Sequence, residues 1–146
     1  MKKVLLTWAV CMFVTGMFIF SGCAFIKVKG KTFVFESAKV DYAGAGEPNL
    51  SVLENERINL INKFKNFKLN FSDLGQVELP NNVAYYYQDG NEINLFTNED
   101  RTLGLETGNH LQLAVQQDKV VLKYYGAEGT QTNGFVYIVF FSELEK

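Results

Sequence analysis

The sequence predicts a mainly β protein, an antiparallel up-and-down β-barrel of about eight to nine strands with one helix inserted after the first strand. Three observations predict it. Beyond Phe67, short apolar segments recur at close, regular spacing between turn residues, which is the pattern of an antiparallel meander. One stretch, Asn49 to Asn66, carries the helical apolar period. The last segment, Phe135 to Phe141 (FVYIVFF), is apolar on both faces, so it needs cover on both sides and suits pairing with the first strand to close the sheet.

The amino-terminal stretch sets the expected location. Lys2 and Lys3 precede an apolar run from Val4 to about Phe20, and Phe20-Ser21-Gly22-Cys23 follows. Basic residues, an apolar run and small residues in that order make a secretory signal. The four closing residues resemble the bacterial lipobox, although that pattern prefers an aliphatic residue where this chain has Phe20. The resemblance implies that residues 1–22 are a lipoprotein signal peptide and that Cys23 is the lipidation site, carrying diacylglycerol and a palmitate-like acyl chain. The protein is then exported and lipid-anchored to the outer face of the bacterial cell membrane, with the bilayer as its first partner. Each buried methylene of such a lipid contributes about 0.8 kcal/mol, so several chains hold nearly permanently. A signal cut elsewhere remains open, as does an uncleaved anchor, because an apolar run of roughly 17 to 20 residues approaches the length that crosses a bilayer.

Residues 23–146 suffice for a single domain with its own core. Cys11 and Trp8 leave with the signal, and Cys23 is committed to lipid, so no disulfide is expected and packing must supply stability. The formal net charge is −2, and loss of Lys2 and Lys3 makes the remainder more acidic. That excludes a nucleic-acid binder, which needs a concentrated basic face.

Lys27, Lys29 and Lys31 alternate just after the cysteine and share a face in an extended segment, either toward an anionic membrane or along a solvated strand edge. Thr32 to Tyr42 reads as a long strand whose apolar phase changes. Phe33 and Phe35 lie on one face, and Ala38, Val40 and Tyr42 on the other, which a bulge near Glu36 and Ser37 reconciles. Ala43 to Pro48 is a flexible turn. In the helix, Leu50, Leu53, Leu60, Ile61 and Phe64 form one stripe, Ser51 and Glu54 have capping-box spacing, and Lys63 and Lys65 suit the carboxyl-terminal dipole. Such a helix caps one barrel end or packs on its side.

Phe67, Leu69 and Phe71 alternate, Asp73 to Gly75 is a turn, and Val77 and Leu79 form a short strand ended by Pro80. Five further strands are expected at roughly 83 to 87, 92 to 96, 102 to 106, 110 to 116 and 119 to 125. Residues paired across a hairpin point to one face, so turn lengths can be tested. A two-residue loop at Gln117-Asp118 pairs Val115 with Val120 and Leu113 with Leu122. A three-residue loop at Gln88-Asp89-Gly90 pairs Tyr85 with Ile93 and Val83 with Leu95, whereas a tight Asp89-Gly90 turn would set Tyr86 opposite Ile93. The first is preferred because it joins two apolar stripes. A three-residue loop at Thr107-Gly108-Asn109 pairs Leu105 with Leu111 and Leu103 with Leu113.

A bent first strand, one inserted helix and a last strand returning to the first together resemble the lipocalin or calycin barrel. With the lipoprotein signal, the chain is similar to the small lipocalin-like lipoproteins of Gram-positive bacteria. Gly30-Lys31-Thr32-Phe33 keeps the glycine of the lipocalin Gly-x-Trp motif and offers Phe33 one position after its tryptophan. Neither the Thr-Asp-Tyr motif nor the late arginine is present, Arg57 and Arg101 being the only arginines.

No catalytic residue, metal site or cofactor is expected. His110 is the sole histidine, and there is no Gly-x-Ser-x-Gly elbow, phosphate loop or free thiol. A barrel of this size either fills with side chains or holds one small ligand. Phe33, Phe35, Tyr85, Tyr87, Leu95 and Tyr124 are the expected ligand-binding residues, for a small hydrophobic or amphipathic molecule. The alternative is a protein-interaction module of the cell envelope, a complex accessory or an enzyme inhibitor with a solid barrel core. Its partner would meet an outward patch of Tyr86, Phe96 and Tyr125.

Overall fold

A computed structural model describes residues 25–105, 110–128 and 131–145; segment 1–22, Cys23 and the 107–109 loop lie outside the described residues. Eight antiparallel strands form a nearly closed barrel. In chain order these are β1 (Thr32–Tyr42), helix α1 (Leu50–Phe64), β2 (Lys68–Asn70), β3 (Gln76–Leu79), β4 (Asn82–Asp89), β5 (Glu92–Phe96), β6 (Gln112–Gln116), β7 (Lys119–Glu128) and β8 (Gln131–Glu143). Neighbours run β2-β1-β8-β7-β6-β5-β4-β3, so β8 does return to β1, and an isolated Phe71↔Val77 bridge joins the outermost strands.

β1 bends where its apolar phase changes. Phe35 faces Phe141 and Ser37 faces Phe140, a bulge that leaves Glu36 unpaired and keeps Phe33, Phe35, Ala38 and Val40 on the inner surface. Val115↔Val120 and Leu113↔Leu122 pair as expected across Gln117-Asp118.

The β4–β5 hairpin corrects the expected register. Asp89 pairs with Glu92, so the loop is the two residues Gly90-Asn91, with Gly90 at φ 59°, as a type II′ turn requires at its first central position. Tyr86 then opposes Leu95 and Gln88 opposes Ile93, which turns Ala84, Tyr86 and Gln88 inward. Tyr85 and Tyr87 face outward, and Val83, expected to pair with Leu95, is 54% exposed. An inward glutamine is tolerated because the backbone of residues 26–28 needs it. Gln88 Nε2 donates to the Ile26 carbonyl at 2.8 Å, and its Oε1 accepts from the Val28 N–H at 3.1 Å. The amino-terminal segment is thereby stapled across one barrel end, with Val28 fully buried.

Among the described residues, the strand expected at 102 to 106 is reduced to one bridge, Phe96↔Gly104, flanked by bonds from the Thr97 N–H to the Leu103 carbonyl and from the Leu105 N–H to the Leu95 carbonyl. Gly104 contributes no side chain there, and Leu103 is exposed. β5 instead pairs directly with β6, at Glu92↔Ala114 and Ile93↔Leu113 alone, and the sheet is splayed beyond them.

The helix differs from expectation at its amino-terminal end. Asn49, not Ser51, is the N-cap, its Oδ1 accepting from the Ser51 N–H at 2.9 Å, while Glu54 pairs with Arg57 at 2.6 Å rather than closing a capping box. Leu50 is 79% exposed, and the buried helical residues are Leu60 and Phe64. The stripe therefore engages the barrel through the helix's last turns.

One cluster of buried side chains forms the core inside the barrel. Phe33, Phe64, Phe71, Phe141, Leu69 and Leu122 are its largest fully buried side chains. Phe33 meets Phe71 edge-on at 5.8 Å, and Tyr86 meets Phe71 edge-on at 5.0 Å, its hydroxyl donating to the Ser72 carbonyl at 3.0 Å.

Candidate functional site

The two barrel ends differ because the connections differ. One end carries the tight turns Gly90-Asn91 and Gln117-Asp118 and is covered by the stapled segment 26–28. At the other lie the β3–β4 turn, the carboxyl end of α1 and the chain before β6. There the strands diverge around a recess of about 260 Å³.

Phe64 and Leu122 line its apolar side, with Leu79 and Pro80 from the β3–β4 turn and Leu105 and Leu111 before β6. Lys63, Asn81, Asn82 and Tyr124 supply its polar groups. Leu105 and Leu111 also line a second groove of about 400 Å³ along the splayed β5–β6 seam, which takes in Leu95. The seam exists because only two residue pairs hold β5 to β6.

The Lys63 ammonium lies 5.4 Å from both the Phe64 and the Tyr124 ring centroids, a cation–π arrangement that holds a positive charge at the recess. Tyr124 stacks on Tyr137 at 5.0 Å, and the Tyr137 hydroxyl donates to Glu56 Oε2 at 2.7 Å. Burial, with the Glu56 charge behind it, pushes the Tyr124 phenol up to about 12. Tyr137 is driven up as well, by burial first and then by its bond to Glu56 and the Glu56 charge. Both phenols are therefore neutral donors at any physiological pH. An apolar pocket beside a cation and the neutral Tyr124 hydroxyl can hold a short apolar tail with a polar or acidic head.

Compared with protein-family models, with curated proteins and with solved structures, the chain matches none. The reading of the site rests on its own geometry.

Of the six residues expected to bind ligand, the structure brings Tyr124 to the recess and Leu95 to the adjoining groove. Phe33 is fully buried in the core, and Phe35 packs half-buried against it. Tyr85 and Tyr87 stand on the outer surface, for the register reason given above. Sequence reasoning missed Lys63, Leu79, Leu105 and Leu111 as a group, because they converge from three separate connections. It also missed the Glu56–Tyr137 bond, although Glu56 lies one helical turn before Leu60 on the face turned to the barrel.

Glu56→Gln keeps an acceptor for Tyr137 and removes the charge, so both phenols should titrate at lower pH, read as phenolate absorbance in an alkaline titration. A folded value above the unfolded one, about 10, means that the neutral phenols stabilise the fold fully below pH 10 and that this contribution is lost as pH rises toward 12. Glu56→Gln should make that alkaline loss smaller; an unchanged titration would show that Glu56 is not coupled to the pair.

Proposed function

We propose that the protein is a membrane-anchored lipoprotein, akin to small lipocalin-like lipoproteins, whose barrel binds a small hydrophobic or amphipathic ligand at its open end. The observation that carries this is the apolar recess of about 260 Å³ beside Lys63 and Tyr124, at the end away from the stapled amino-terminal segment. Anchored through Cys23, two residues before Phe25, the domain would present this mouth away from the membrane. Because the deeper barrel is filled, the ligand is one that seats a short tail and leaves its head at Lys63, rather than one enclosed along its length.

Residues 24–146 should bind one equivalent of dansyl-undecanoic acid, followed by probe fluorescence. Leu105→Trp, at the shared wall of recess and groove, should weaken that binding at least about tenfold, or roughly 1.4 kcal/mol. Absence of uptake by the parent protein would defeat the ligand-binding reading.

A second reading, a protein-interaction module of the envelope, has one observation in its favour. The corrected register places Val83, Tyr85 and Phe96 on the outer surface, Tyr85 directly opposite Phe96. This differs from the patch expected from sequence, since Tyr86 lies inside and Tyr125 is half-buried, edge-on to His110 at 6.1 Å. Cross-linking at the cell surface through a photoreactive group at position 83 tests it.

A further inference from the structure

The sealed end of the barrel carries an unusual combination of side chains. A hollow of about 370 Å³ there is bordered by Lys27, Lys29, Arg101, Leu74 and Tyr87, with Asp73 as its one acidic group. Leu74 occupies the tip of the β2–β3 turn and is 83% exposed, and Tyr87 is 57% exposed. Phe25, also exposed, lies on the same end, against Gly90 of the β4–β5 turn. Single exposed apolar residues are ordinary in soluble domains. Three at one end, with basic side chains between them, match the mixture that interfacial membrane contacts use.

The basic charges divide into committed and uncommitted, and the exposed acidic groups of the same end, Asp89, Glu92 and Asp118, belong to its two tight turns. Lys31 pairs with Glu143 at 2.7 Å, Lys119 pairs with Glu36, and Arg101 donates through Nε to the Tyr86 carbonyl at 3.0 Å. Lys27 and Lys29 make no ion pair among the described residues, and both are exposed on either side of buried Val28. Lys27 precedes buried Val28, and Lys29 opens the Lys29-Gly30 turn that the Lys31 N–H closes on the Val28 carbonyl at 3.0 Å.

The chain itself says what this end meets. Its apolar amino-terminal run closes at Cys23, and two residues span about 7 Å at most, so an anchor there holds Phe25 and its surroundings at the headgroup layer. We propose that this end of the barrel docks directly on an anionic bilayer, with Lys27 and Lys29 against lipid phosphates and Leu74, Tyr87 and Phe25 entering the headgroup region. The proposal rests on the anchored reading given above. Each basic side chain at such a surface strengthens attachment roughly fivefold. Docking fixes the barrel upright, with its recess facing away from the bilayer.

The test uses the full chain, purified in detergent and moved into nanodiscs of phosphatidylcholine with or without phosphatidylglycerol. Lysines are acetylated under limiting reagent and quantified residue by residue by mass spectrometry. Lys27 and Lys29 should label several-fold more slowly in the discs containing phosphatidylglycerol, whereas Lys63, at the recess, should label equally in both. Leu74→Asp, at a position too exposed to affect folding, should reduce that protection. If the chain stays with the discs and Lys27 and Lys29 label alike in both, docking is overturned and anchoring stands. Elution of the chain free of the discs overturns anchoring and docking together.

Discussion

Replacing Phe64 with alanine should cost about 3–5 kcal/mol of folding stability, measured as a fall in the urea midpoint at unchanged slope. Phe64 is 1% exposed and sits edge-on to Phe67 at 5.8 Å and to Phe141 at 6.2 Å, with Tyr124 tilted at 6.4 Å. Its ring is therefore the main apolar contact of α1 with the β7 and β8 inner surface, beside the Glu56–Tyr137 hydrogen bond. A helix of this length is marginal in water without tertiary packing, and only Leu60 and Phe64 are buried in it. Truncation should leave a cavity opening into the recess and release the last helical turns, so amide exchange across 60–66 should accelerate more than elsewhere. Leu50→Ala, on the same predicted stripe but exposed, should change stability by no more than about 0.5 kcal/mol. Equal effects at the two positions would show that the helix is seated by its stripe as a whole and not by its carboxyl-terminal end.

That contrast indicates what was legible in the sequence. Side-chain alternation reports a strand's face only when one face is apolar and the other polar. β1, β6 and β7 come near that condition, and the bulge at Glu36 and the Gln117-Asp118 hairpin follow from it, whereas the return of β8 to β1 follows from a last strand apolar on both faces. β4 does not meet it. Tyr85, Tyr86 and Tyr87 place aromatic rings on both faces, so the phase rests on the turn, and the turn rests on where Gln88 points. Its partners, Ile26 and Val28, lie about 60 residues earlier, beyond the reach of any local pattern. The helix shows the same limit in another form. A 3.6-residue period identifies the stripe but not how much of it is covered, because the barrel mouth accepts only the last turns. The recess is less legible still, since its apolar walls come from connections whose convergence is a product of topology. Tyr124 was recoverable because β7 alternates cleanly; Leu105 and Leu111 were expected to pair in a strand that does not form.

The two ends of the barrel are stabilised by different means, and this bears on function. At the mouth, aromatic packing around Phe64 lies beside a rim where only two residue pairs join β5 to β6. At the sealed end, hydrogen bonds do the corresponding job. Gly30 donates to the Phe71 carbonyl at 2.8 Å and Phe71 donates to the Lys31 carbonyl at 2.9 Å, joining the amino-terminal segment to the chain just after β2. The rest of that joint is Gln88.

Gln88→Ala should cost about 2–3 kcal/mol and should loosen the amino-terminal segment before the barrel. The side chain donates to the Ile26 and Gly90 carbonyls at 2.8 and 2.9 Å and accepts from the Val28 N–H, so truncation strands two partly buried backbone groups of the stapled segment. The loss exceeds that of an ordinary surface hydrogen bond because water must reach beneath residues 26–28 to replace it. Gln88→Glu separates geometry from donor chemistry. It keeps the acceptor for Val28 but has no N–H for Ile26, and it sets a carboxylate against that carbonyl, so it should be no better than alanine. Hydrogen exchange followed by mass spectrometry provides the readout, with faster exchange over 25–31 at denaturant concentrations where β6, β7 and β8 remain protected. If exchange instead rises uniformly, the staple belongs to the global folding unit and cannot open alone. If the segment does open first, the hollow bordered by Lys27 and Lys29 is lost with it, and that end of the barrel comes to depend on one glutamine side chain.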